Sequence, residues 1–67
     1  MRRMLGNVPL DLEPQPEGGF TVTSPALPEL VTEGDSEAEV IENARDAIAA
    51  VREIYEDDGR PLPACLR

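Results

Sequence analysis

The feature that most constrains this chain is the run from Ser36 to Pro61, which specifies one long amphipathic helix with both ends marked. Ser36-Glu37-Ala38-Glu39 is a Ser-x-x-Glu capping box, in which the two side chains satisfy backbone amides that the first helical turn leaves unpaired. Val40, Ile41, Ala44, Ala47, Ile48, Val51, Ile54 and Tyr55 then fall on one arc at a helical period. Glu42, Arg45, Asp46, Ala49, Arg52, Glu53 and Glu56 occupy the rest. Gly59 is placed to stop the helix in a left-handed conformation, and Pro61 prevents its resumption. A helix with one apolar face must bury that face on a second layer, and only the residues before it can supply one.

Those residues read as strands. From Val8 to Glu13, apolar Val8, Leu10 and Leu12 alternate with Pro9, Asp11 and Glu13, the period of a half-buried strand. Pro9 lacks an amide hydrogen, which favours an edge position or the first residues of the strand. Pro14 to Gly19 is a turn, and Phe20 to Ser24 alternates again, so the two runs form a hairpin. Pro25-Ala26-Leu27-Pro28-Glu29 is an extended connector anchored by Leu27. Leu30 to Glu33 forms a brief third strand in which adjacent Leu30 and Val31 point to opposite faces, with the buried one left open. Residues 62–66 either pack back on the sheet, pair as a short final strand or fray, and residues 1–6 and 64–67 read as tails.

The expected fold is therefore α+β in two layers: a three-stranded antiparallel sheet packed on one helix, in the order β-β-β-α, with a short final strand as an option. Sixty-seven residues make a single domain, 1–67, whose small core invites assembly into a homodimer or higher homo-oligomer.

Charge narrows the partners. Fourteen Asp and Glu against six Arg and no Lys give a net charge of −8, which repels phosphate backbones and favours a basic protein over direct nucleic-acid binding. Solubility alone is the competing account of such acidity. With no His or Trp, the chain has no side chain that titrates near neutrality unperturbed and little aromatic surface for stacking on bases. Cys65 stands alone, so no disulfide framework or cysteine metal cluster can form, and neither a signal peptide nor a spanning segment is visible. These features fit a cytoplasmic protein away from the membrane, with no cofactor.

The candidate partner-binding residues are acidic. Glu53, Glu56, Asp57 and Asp58 crowd the negative pole of the helix dipole, where each carboxylate in the last turn costs about 0.3–1 kcal/mol at low salt. They are either a solvated face offset by Arg52 and Arg60, or groups held for cations on a partner. Asp11 and Glu13 join them from the strand face opposite the core. Clustered carboxylates at Asp11, Glu13, Glu33 and Asp35 also raise a metal-dependent nuclease, which the missing His and Lys and the repulsive charge argue against. Phe20 and Tyr55 read as core residues, the latter with its hydroxyl at the rim, and Cys65 as an exposed thiol.

The order of these pieces resembles a known family. A strand closing at Leu12 to Pro14 is followed by Gly18 to Pro25, Leu27-Pro28, Val31 to Ser36, Glu42 to Ile48 and Asp57 to Pro63. Together they look like the HicB-like antitoxins of bacterial and archaeal toxin-antitoxin systems. The resemblance implies a partial RNase H-like fold and a non-enzymatic role: binding a small basic RNA-cleaving toxin so that its active site is covered. Many such proteins add a C-terminal DNA-binding domain, for which a chain ending at Arg67 leaves no room. A stand-alone structural or regulatory oligomer that keeps the fold without a toxin is the alternative. The chain departs from the family at Glu29-Leu30, where a Gly-Cys pair is usual, and at Pro9, where an aliphatic residue is usual.

Overall fold

A computed structural model describes residues 1–67. Four strands, β1 (Arg2–Leu5), β2 (Val8–Pro14), β3 (Phe20–Thr23) and β4 (Val31–Gly34), form one antiparallel sheet in the order β1-β2-β3-β4. The helix α1 (Glu37–Asp57) packs on it, and one turn of 3-10 helix (Ala64–Leu66) closes the chain. The two-layer α+β architecture is as expected, with four strands in place of three.

The added strand is β1, which corrects the reading of residues 1–6 as a tail. Two charged residues in a four-residue stretch carry no local strand signal; the pairing comes from β2, whose length leaves its first half without a partner unless β1 folds back on it. Gly6, at φ 61°, makes the tight turn between them. The short final strand is also corrected: residues 64–66 form a 3-10 turn, and Leu66, only 4% exposed, tucks into the core. Cys65 is half-buried rather than exposed.

Register explains how an interior strand tolerates two prolines. Met1 and Leu12 exchange both backbone hydrogen bonds, so Leu12, Leu10 and Pro14 aim their amide positions toward β1, while Asp11, Glu13 and Pro9 aim theirs toward β3. Beta3 pairs only as far as Asp11, and β1 only as far as the Met1 bridge. The missing amide hydrogen of Pro9 therefore lies beyond the end of β3, and that of Pro14 beyond the end of β1. Neither proline removes a ladder bond.

The core is built from one face of the sheet and one stripe of the helix. Val8, Leu10, Leu12 and Val22 from the sheet, Leu27 and Leu30 from the connector, Val40, Ala44 and Val51 from α1, and Leu66 form one buried cluster. Leu27 is the expected anchor, fully buried, and Leu30 is the buried member of its pair while Val31 is 64% exposed. The Ser24 hydroxyl accepts the Ala26 amide at 3.2 Å, which starts the connector with a side-chain turn. Gly19 (φ 79°) and Gly34 allow the β2–β3 turn, β4 and α1 to meet: a Cβ on Gly19 would lie 2.8 Å from the Gly34 carbonyl oxygen, and one on Gly34 2.9 Å from Val40 Cγ1.

Helix α1 begins as expected: the Ser36 hydroxyl accepts the Glu39 amide at 3.1 Å. The reciprocal bond from the Glu39 side chain is not made, so only half of the capping box operates. Twenty-one residues give the helix a length of about 31 Å, against about 13 Å for a four-residue strand. The C-terminal part of α1 consequently runs past the sheet, in a molecule with extents of 40 × 17 × 16 Å.

Candidate partner-binding surface

The six acidic candidates divide into two groups on opposite sides of the molecule. Asp11 and Glu13 alternate with the buried Leu10 and Leu12 along β2, so they stand on the sheet face turned away from α1. Cross-strand register places Glu13, Thr21 and Glu33 in one row of that open face, and Arg2, Asp11, Thr23 and Val31 in the next. Glu53, Glu56, Asp57 and Asp58 belong to the other layer, at the projecting end of α1.

Asp11 is not free. Its carboxylate takes both the Nε and an Nη of Arg2, a bidentate ion pair across the β1–β2 ladder with both side chains about half exposed. Glu13 and Glu33 have no such cation, so the negative character of the open face concentrates toward the β2–β3 turn. A concavity of about 380 Å³ adjoins it, lined by Gln15, Glu17, Phe20, Glu33, Asp35 and Glu39 together with Gly18 and Gly34. Phe20 is half-buried and forms part of that wall rather than lying wholly in the core.

The far end of α1 is held by its backbone rather than by counter-charges. The Gly59 amide (φ 68°) donates to the Glu56 carbonyl at 3.1 Å and the Arg60 amide to the Tyr55 carbonyl at 3.0 Å, the bond pair of a Schellman motif. Arg60 then lays its guanidinium over the Tyr55 ring, 4.3 Å from the centroid, where such motifs usually place an apolar contact. The same side chain reaches Asp58 at 3.3 Å. The last turn contains no basic residue, and Arg52, expected to offset the acids, forms no ion pair. Glu53, Glu56 and Asp57 therefore remain exposed and unpaired beside carbonyls that carry partial negative charge.

Tyr55 faces the connector, where its hydroxyl donates to the Glu29 carboxylate at 2.7 Å. That bond holds the Glu29 carboxyl below the usual Glu value, assisted by a backbone hydrogen bond and by nearby Arg60. The same bond raises the Tyr55 phenol above its ordinary value. Ile54, placed on the apolar arc by its spacing, is 48% exposed because the overhanging end of α1 has no sheet beneath it.

Sequence reasoning found the helix-end acids and the two on β2, but missed Glu17, Glu33 and Glu39 as neighbours around one concavity. The register that joins the β2–β3 turn to β4 could have revealed them. No group of side chains suited to holding a metal ion occurs. No helix is long and apolar enough to cross a membrane.

Three curated relatives match most of the chain. The chain is 42% identical over 55 residues to a protein named Antitoxin HicB 1 from Photorhabdus laumondii, a match covering 82% of this chain and 36% of that protein. It is 40% identical over 60 residues to Antitoxin HicB of Escherichia coli K12, covering 87% of this chain and 44% of the relative; the protein of the same name from strain O157:H7 matches equally. The chain thus spans less than half the length of the curated relatives it matches. No protein-family model matches it.

Proposed function

Because the chain belongs to the HicB-like antitoxin family, we propose that it neutralises a small basic RNA-cleaving toxin in the cytoplasm by binding it and covering its active site. One observation carries this reading beyond the family name: Glu53, Glu56 and Asp57 crowd the unfavourable pole of a rigid, backbone-capped helix without an intramolecular cation. Such an arrangement costs the free chain stability and gives it back when a cationic partner docks. Glu13 supplies a second acidic contact from the open sheet face, whereas Asp11 and Asp58 must exchange Arg2 and Arg60 for cations of the toxin. Electrostatic steering accelerates such an encounter, and salt weakens it.

The test is co-expression with the adjacent reading frame under separate tags. The proposal expects a small basic protein to co-purify, and cells producing that protein alone to lose RNA. Normal growth in the absence of this chain, with nothing co-purifying, would remove the antitoxin role.

A further inference from the structure

We propose that the exposed side of α1 between Ala47 and Asp57 receives one amphipathic helix of the basic partner, whose Lys or Arg side chains meet Asp46 and Glu53. This assignment rests on the antitoxin reading and gives its partner contact a place and a shape.

Helix α1 carries two stripes. The first, centred on Val40, Ala44 and Val51, is buried in the core. The second is Asn43, Ala47, Ala50, Ile54 and Asp57, whose steps of four, three, four and three residues are those of the seam along which two helices pack. The sheet uses only its beginning: Asn43 donates its side-chain amide to the Glu33 carbonyl of β4 at 2.8 Å. Beyond that bond α1 runs past the sheet and the seam lies open. Ala47 is half-buried, Ala50 is exposed and Ile54 is 48% exposed. Ile54 thus stands in water at the end of a seam whose preceding positions are alanines, small enough for a second helix to approach to about 8 Å between axes.

Charge selects the occupant. Asp46 and Glu53 are seven residues apart, and each directly precedes a seam residue, the flanking position from which paired helices exchange ion pairs. Both are exposed, as is Asp57, and none of the three has a cation within the chain. Arg45 and Arg52 fall on the far side of the helix from the seam. Antiparallel pairing of this face with a second copy sets carboxylate against carboxylate, which disfavours self-association here. A cationic helix is favoured instead, and the negative pole of the helix dipole beside Asp57 adds to its attraction.

Ala49 and Ala50 provide the test, since both are exposed and helical yet point to different sides of α1. Ala50→Gln fills the seam, Ala49→Gln leaves it open, and both carry the same cost in helix propensity. Capture of the basic protein from the adjacent reading frame, measured by calorimetry on the intact chain, should weaken at least about tenfold with Ala50→Gln and with Ile54→Gln, and change less than about twofold with Ala49→Gln. Helical circular dichroism confirms that each variant stays folded. Asp46→Arg and Glu53→Arg should each weaken capture, and the partner cations whose reversal to Glu restores it should lie seven residues apart on one helix. Wild-type chain that binds while Ala49→Gln and Ala50→Gln have equal effects would overturn the seam and leave the antitoxin reading standing. Wild-type chain that captures no such protein would remove both. Sedimentation of the chain alone completes the test: self-association lost in Ala50→Gln would assign the seam to a second copy and overturn the proposal.

Discussion

The Tyr55 hydroxyl donates to the Glu29 carboxylate at 2.7 Å, tying the last turns of α1 to the connector that carries Leu27 and Leu30 into the core. The bond favours ionised Glu29 and neutral Tyr55 in the folded chain. Stability from Glu29 is present above its unfolded value near 4.5 and is lost as pH falls through the depressed folded value. Stability from Tyr55 is present below 10.0 and is lost as pH rises through the raised folded value. Tyr55 is the only tyrosine and there is no tryptophan, so ultraviolet titration reads it without interference. Its midpoint is expected above that of the urea-unfolded chain, and Glu29→Gln should return it toward 10. Coincident midpoints for folded and unfolded chains would show the bond absent.

The two glycines at the junction of turn, strand and helix are expected to resist replacement. Gly34→Ala forces a methyl to 2.9 Å from Val40 Cγ1 and 3.1 Å from the Val40 amide nitrogen, an overpacking that costs about 1–3 kcal/mol. Gly19→Ala adds the strain of a positive φ to a 2.8 Å clash with backbone. For a chain of this length, total stability is about 3–10 kcal/mol, so urea midpoints should fall visibly. Gly18→Ala, with open space around the new methyl, should cost only its positive-φ strain.

Helix capping is expected to be one-sided. Ser36→Ala removes the acceptor for the Glu39 amide and should lower stability by about 1 kcal/mol. Glu39→Gln leaves that bond intact and removes no observed side-chain bond, so it should change stability far less. Equal losses from both would mean the reciprocal cap forms in solution.

Helix-end charge should trade stability against binding. Glu56→Gln and Asp57→Asn relieve repulsion from the helix dipole, and each is expected to raise the stability of the free chain by about 0.3–1 kcal/mol at low salt, fading as salt rises. The same pair should weaken capture of the basic partner. A merely solvated acidic face predicts the first effect without the second, so measuring both separates the two accounts.

The parts of the fold that local chemistry determines are legible in the sequence. Ser36 and Gly59 mark the ends of α1, and Leu27 between two prolines marks a buried anchor. What could not be read depended on distant pairing. Arg2–Leu5 is a strand because β2 offers it a ladder, and Pro9 is acceptable in an interior strand because β3 ends before reaching it. The six acidic candidates were visible as residues, but not their division between an open sheet face and a projecting helix end, nor the capture of Asp11 by Arg2 and Asp58 by Arg60. Ile54 matched the apolar period yet met water, since periodicity reports a face and not how far the sheet beneath it extends.

The central claim is tested most directly by titrating the purified chain into RNA cleavage by the basic protein from the adjacent reading frame. Cleavage should stop near stoichiometric addition, with inhibition weakened by salt and by Glu53→Lys, Glu56→Lys and Asp57→Lys together. Undiminished cleavage at a large excess of the folded chain would contradict it.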